Sequence, residues 1–127
     1  MDTQLTTQSL AQRLIEHDQK QLDWATSITS DNLNAIQHIQ HLTITDTKTF
    51  ESLPIFVRKL DDNGQYNLSG CCNNTLYTTD KPRLQAMCDN LNTKHADTYH
   101  FVIVSRLAVA IRMIPLLEKN IAGYRGL

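Results

Sequence analysis

Cysteine and histidine are the residue types in this sequence that could carry out chemistry. Cys71 and Cys72 are adjacent, and a thiolate there could act as a nucleophile with His95 or His100 as its base. No helix start follows the two cysteines directly, and no family-specific nucleophile signature surrounds them, so nothing local activates the thiol. We therefore expect the pair to pack beside a hairpin, and we predict no catalytic residue.

Metal binding is the second chemistry to weigh. His38 and His41 stand three apart on a predicted helix, and His17 is also available. Neither a CxxC nor an HExxH pattern occurs, so we predict solvent-facing histidines, no metal site and no cofactor. The paired carboxylates of residues 61–64 (Asp-Asp-Asn-Gly) form a tight turn more readily than an acid/base pair.

A few basic, aromatic and amide side chains could bind a small ligand. A guanidinium group binds phosphate or carboxylate in a bidentate way, and a tyrosine ring can stack on a base. The candidate ligand-binding set is Arg58, Tyr77, Asn92 and Arg106. An oligomeric nucleotide-binding protein is therefore the alternative interpretation of this chain.

Charge divides the chain into two unlike halves. The formal net charge is −1, but residues 1–51 carry three Lys or Arg against seven Asp or Glu, and residues 52–127 carry nine against six. A typical nucleic-acid-binding domain is far more basic, so we do not expect a nucleic-acid partner. Acidic side chains of the first helix, Glu16, Asp18 and Asp23, are the predicted contacts with a protein partner.

Composition is that of a single soluble domain over residues 1–127, with 41% hydrophobic and 20% charged residues. We expect a helical N-terminal region at 1–45 and a sheet-and-helix core at 54–127. No run of 18 apolar residues and no secretory signal pattern occurs, and three cysteines are too few and too irregular for a disulfide framework. These features predict a cytoplasmic protein with no membrane contact.

The N-terminal region reads as two helices. Apolar residues recur at helical spacing over 7–28, and Ser30 or Asp31 can cap a second helix that runs to about residue 41. Leu33, Ile36 and Ile39 repeat every third residue in that second helix. The sequence does not decide whether the two helices are continuous, and the Thr-rich stretch 42–53 reads as a connection.

The core reads as strands and one helix. Residues 55–60 and 65–70 favour a hairpin, residues 75–79 a third strand, and residues 98–104 a central strand. Between the last two, Thr79 or Asp80 can cap a helix whose buried face carries Leu84, Met87, Cys88 and Leu91. The predicted fold class is α+β: a four-stranded, mostly antiparallel β-β-β-α-β sheet with two N-terminal helices and a C-terminal helix.

The C-terminal segment 105–121 fits a helix and also alternates as a strand does. We predict a helix, capped by Ser105 and kinked at Pro115, because Ala, Leu, Met, Arg and Glu dominate the segment. It is more apolar than one small sheet needs to cover, which indicates a homodimer through this segment.

The middle third of the chain resembles a known class of proteins. The runs 74–80 (Asn-Thr-Leu-Tyr-Thr-Thr-Asp), 85–86 (Gln-Ala), 89–92 (Asp-Asn-Leu-Asn) and 99–104 (Tyr-His-Phe-Val-Ile-Val) resemble a strand–helix–strand unit of small accessory proteins from bacteriophages and mobile elements. The resemblance implies an anti-defence role, such as an anti-CRISPR-like inhibitor that occludes a host defence complex. It transfers no catalytic residue, and the expected function is non-enzymatic protein binding.

Overall fold

The computed structural model describes residues 3–47, 56–60, 66–69 and 75–126, with side chains described for 9–47 and 75–126. In these ranges the helices are α1 (Thr3–Thr29), α2 (Ala35–Gln40), α3 (Lys81–Lys94) and α4 (Arg106–Arg125). The strands are β1 (Leu42–Asp46), β2 (Phe56–Leu60), β3 (Tyr66–Ser69) and β4 (Phe101–Ser105). The predicted turn at 61–64 and the Cys71–Cys72 pair lie outside the described residues.

The predicted β-β-β-α-β sheet is wrong. Residues 75–79 form no strand and contribute only an isolated bridge between Thr78 and Leu42. The longest continuous ladder is instead a two-stranded antiparallel pair, β1 with β4, in register from Leu42↔Ser105 to Asp46↔Phe101. The β2–β3 hairpin joins β1 through the single pair Thr45↔Phe56, which gives the order β3-β2-β1-β4. β4 therefore lies at an edge and is not the predicted central strand.

The two errors in the sheet concern β1 and residues 75–79. β1 was expected to be a connection, but Thr43 and Thr45 are β-branched and flank Ile44, an alternation that suits a pleated strand. Ile44 is fully buried in the core beneath α3. Residues 75–79 have strand propensity, but Thr78 alone among them pairs with a strand, through the isolated bridge to Leu42.

α3 confirms the predicted helix, its cap and its buried face. The Asp80 carboxylate accepts a hydrogen bond from Arg83 N at 3.2 Å, and proline occupies the first turn. All four predicted core residues are buried against Ile44 and Phe101: Leu84, Met87, Cys88 and Leu91. Full burial of a leucine of this kind stabilises the fold by about 2 kcal/mol.

α4 confirms the predicted C-terminal helix. Ser105 ends β4 and its hydroxyl accepts from Ala108 N at 3.0 Å, so strand and helix join with no residue between them. The buried face of α4 packs beside Leu22 and Trp24 of α1. That face consists of Val109, Ala110, Met113, Leu117 and Ile121. The apolar surface expected to bind a second copy is therefore used largely within the chain, although Ile111 is 58% exposed.

The buried residues in the described part of α1 are small or polar, and Leu22 and Trp24 beside them are half-buried. Ala11 and Ala25 are buried, and so are Asp18 and Gln21, whereas Leu10 is 57% exposed. Alanine lets two helix backbones approach closely, because it adds little bulk at the contact. The buried face of α1 is therefore narrower and less apolar than helical spacing predicts.

Polar side chains hold the start of β4. Asn92 of α3 donates from Nδ2 to Phe101 O at 2.9 Å and accepts from Phe101 N at 2.6 Å. One residue earlier, His100 N donates to the fully buried Asp46 at 2.9 Å. These contacts supply partners for backbone groups at the end of an edge strand, where a ladder provides none.

Asn92→Ala should remove both contacts with Phe101 and lower the free energy of unfolding by about 1–3 kcal/mol. Thr93→Ala is the matched control on the same helix, because the exposed Thr93 hydroxyl only donates to the Asp89 carbonyl of its own helix. Urea unfolding followed by circular dichroism measures both values. Equal stability of the two variants would contradict a structural role for the Asn92 amide.

Candidate functional site

α2 buries a polar side chain and exposes apolar ones, which is the reverse of an ordinary surface helix. Its one buried residue is His38, 6% exposed, while Ile36 and Ile39 are 69% and 53% exposed. Leu33, just before the helix, is 97% exposed. We call Leu33, Ile36 and Ile39 the α2 surface. A helix that buries histidine and exposes aliphatic side chains reverses the usual amphipathic pattern, and it marks a surface suited to contact with another molecule.

A hydrogen-bond network explains why His38 faces inward. His38 Nε2 lies 3.0 Å from Asp31 Oδ2, and Arg106 Nε donates to His38 Nδ1 at 2.9 Å. Asp31 also accepts from the Asn34 amide at 3.1 Å. The network joins the α1–α2 connection to the first residue of α4, and its bond between His38 and Arg106 spans 68 positions of sequence. The prediction of a solvent-facing histidine is therefore wrong for His38.

The arginine determines which His38 nitrogen carries the proton. A guanidinium stays protonated in proteins and only donates, so His38 Nδ1 must accept with its lone pair. The imidazole proton is then on Nε2, from where it donates to Asp31. An Asp–His pair resembles part of a catalytic triad, but a general base needs a free nitrogen facing the substrate. Both nitrogens are occupied here, so the geometry favours a structural role.

Arg106 also connects the network to an aromatic pair. Its guanidinium carbon lies 5.7 Å from the centre of the Tyr77 ring, within range of a cation–π contact. Tyr77 in turn stacks on Trp24 of α1, with ring centres 6.2 Å apart. Arg106 thus contacts His38 of α2 and also Tyr77, in the segment that precedes α3.

The predicted partner-binding residues do not share one surface. Glu16 and Asp23 are exposed and lie about two turns apart on one face of α1. Each accepts a hydrogen bond from a glutamine four positions earlier, Gln12 and Gln19 respectively. Asp18 lies on another face and is only 6% exposed. A charge reversal at Asp18 would therefore test folding as well as binding.

The predicted ligand-binding residues do not converge. Asn92 binds the Phe101 backbone at the start of β4, whereas Arg106 follows its end, about 16 Å away along an extended strand. Arg106 and Tyr77 contact each other, but both are engaged by neighbours within the chain. Arg58 lies on β2, whose side chains are outside the described residues. The structure therefore brings together one pair of this set.

Cys88 is a core residue, as predicted. It is 4% exposed, and its thiol lies 3.4 Å from the Phe101 carbonyl. Burial, followed by the nearby Asp89 carboxylate, raises the pKa of the Cys88 thiol above its usual 9.0. A thiol that resists ionisation is a poor nucleophile.

Sequence reasoning missed the network of Asp31, His38 and Arg106. Leu33, Ile36 and Ile39 dominate the apparent periodicity of α2 and predict the opposite orientation. The available signal was weaker: a three-residue repeat drifts around a helix, so an aliphatic core face was never well supported. The pairing of His38 with Arg106 is a long-range contact that no local pattern encodes.

Arg106→Leu should leave His38 Nδ1 buried without its donor and lower stability by about 1–3 kcal/mol. Arg125→Leu, at the exposed last turn of α4, is the matched control and should change stability by less than about 0.5 kcal/mol. Combining Arg106→Leu with His38→Phe should cost less than the sum of the single changes, because the stranded acceptor is removed. Additive costs in urea unfolding would contradict the hydrogen bond.

Acid should weaken the network at its carboxylate. The hydrogen bond from His38, and then that from Asn34, lowers the pKa of Asp31 below its ordinary 3.8. Because the folded pKa is the lower one, ionised Asp31 stabilises the fold above pH 3.8, and this contribution disappears as pH falls through the folded value. The stability gap between wild type and Asp31→Asn should therefore narrow on acidification. Asp97→Asn, an exposed control, should show no such narrowing in urea midpoints.

Metal and membrane sites receive no support from the described residues. Among them, no cluster of three or more His, Cys, Asp or Glu side chains could hold a metal ion. None of the helices in the described ranges combines the length and apolar character needed to cross a membrane. The chain matches no protein-family model, no curated protein and no solved structure.

Proposed function

We propose that this chain is a non-enzymatic binding protein that acts through contact with a protein partner. The observation that carries the proposal is the α2 surface, where three large aliphatic side chains face solvent while the helix buries His38. Covering apolar surface is worth about 25 cal/mol per Å². A partner that packs on Leu33, Ile36 and Ile39 gains this free energy, because it covers apolar side chains that are exposed in the fold.

Preorganisation supports the same surface as a binding element. A helix as short as α2 is unstable alone, yet the hydrogen bonds of His38 with Asp31 and Arg106 tie it to α4. Side chains already held on an ordered backbone lose less entropy when a partner binds. The network therefore favours tight contact over loose hydrophobic association.

Charge indicates the chemistry of the partner. The first 51 residues carry three basic side chains against seven acidic ones. Asp31 lies next to the α2 surface with its side chain 30% exposed, and Glu16 and Asp23 are exposed along α1. We infer a partner surface with an apolar centre and a basic rim, because complementary charge speeds encounter and selects the orientation.

The finer form of the proposal is an anti-defence inhibitor of bacteriophage or mobile-element origin. It is supported by the resemblance of the sequence of residues 74–104 to such accessory proteins: the helix and the second strand of that unit are α3 and β4, although residues 75–79 contribute only an isolated bridge in place of its first strand. Inhibition would then consist of occluding a host defence complex, with no catalytic step. The reduced, buried Cys88 thiol is compatible with action in the cytosol.

The experiment compares two sets of exposed apolar residues. Leu33→Ser, Ile36→Ser and Ile39→Ser together remove the α2 surface, and Leu10→Ser with Leu14→Ser removes exposed leucines from α1 as a matched control. Tagged proteins are purified gently from host cells, the partner is identified by native mass spectrometry, and affinity is measured with the purified pair. The α2 variant should bind at least about thirtyfold more weakly, roughly 2 kcal/mol.

The control variant should retain wild-type affinity, and added salt should slow association of wild type with the basic partner. Equal losses of affinity in both variants would indicate nonspecific hydrophobic association instead of a specific surface. Full binding by the α2 variant would overturn the proposal.

A further inference from the structure

A recess lies between the start of α3 and the segment that precedes it. It is a cavity of about 200 Å³ lined by Leu76, Tyr77, Thr78, Arg83 and Met87. Leucine, methionine and the tyrosine ring make most of this lining apolar, and Arg83 supplies one cation. We call it the α3 cleft. Ligand pockets for drug-sized molecules hold roughly 300–1,000 Å³, so this cleft suits a smaller molecule than a nucleotide.

Arg83 is available to a ligand. Its residue is exposed, and its guanidinium forms no ion pair with any carboxylate in the part of the chain that the structure describes. A guanidinium group presents a planar pair of donors that matches a carboxylate. Its position at the cleft makes it the group that would fix a bound anion.

The charge at the start of α3 is mixed. Lys81 and Arg83 lie in the first turn, but the Asp80 carboxylate caps the helix and accepts from Arg83 N at 3.2 Å. A carboxylate at the positive end of a helix dipole is stabilising, so the helix start is already compensated. The Arg83 guanidinium at the cleft, and not the helix start, is therefore the group that favours an anionic ligand.

The helix end itself does not provide the donors. Lys81 N donates to Thr79 O, Arg83 N to the Asp80 carboxylate and Leu84 N to Asp80 O, and Pro82 has no N–H. The first-turn amides are therefore already paired. Recognition must come from the Arg83 side chain together with the apolar wall formed by Leu76, Tyr77 and Met87.

We propose that the α3 cleft binds a small organic carboxylate with a compact apolar body, such as a single ring. Its carboxylate pairs with the Arg83 guanidinium while the ring lies on Met87 and Leu76. This site is separate from the α2 surface, so the two proposals stand or fall independently.

Phenylacetate is the probe, with phenylacetamide as its neutral analogue and inorganic phosphate as an anion without an apolar body. Amide chemical shifts in ¹⁵N-labelled full-length protein report binding at residues 76–78 and at Met87. Arg83→Gln should weaken phenylacetate binding about tenfold or more, as expected when a charged hydrogen-bond pair is lost. Arg125→Gln removes the same charge from the far end of α4 and should leave affinity unchanged.

Both comparison compounds should bind wild type at least about tenfold more weakly than phenylacetate. Absence of phenylacetate binding would overturn the proposal. Equal binding of phenylacetamide would remove the role of Arg83, and equal binding of phosphate would remove that of the apolar wall. Circular dichroism checks that Arg83→Gln remains folded, which is expected because the residue is exposed.

Discussion

The hydrogen bond from Arg106 to His38 is the constraint on which the candidate functional surface depends. Arginine donates at every pH that a protein tolerates, so His38 must accept at Nδ1 and donate at Nε2 to Asp31. This chain of donors turns a polar residue inward and leaves Ile36 and Ile39 on the outside. A helix of six residues has no other buried side chain to oppose that orientation.

Because α4 follows β4 directly, Arg106 lies where its side chain can donate to His38. Ser105 ends the strand and caps the helix, so Arg106 is held by the strand on one side and by the first helical turn on the other. Its backbone N–H donates to His41 O at 2.8 Å. The C-terminal end of α2 is thereby attached to the β4–α4 junction by backbone and side chain together, which explains how so short a helix is ordered.

Sequence reasoning succeeded where local rules act alone. The cap at Asp80, the buried face of α3 and the helical C-terminal segment follow from neighbours a few residues apart. It failed for β1 and for residues 75–79, because which of two β-prone segments pairs with β4 is decided by tertiary contacts. The candidate site was the least predictable part. Its central contact joins residues that no periodicity relates, and its aliphatic residues imitate an ordinary core face.

The Cys88 thiol can report on local opening of the contact between α3 and β4. It lies on the buried face of α3 with the Phe101 carbonyl at 3.4 Å and the Asn92 amide at 3.7 Å, and burial keeps it protonated. An alkylating reagent can reach it only when α3 lifts from β4. The rate of alkylation at Cys88 therefore measures how often the α3–β4 contact opens by local unfolding.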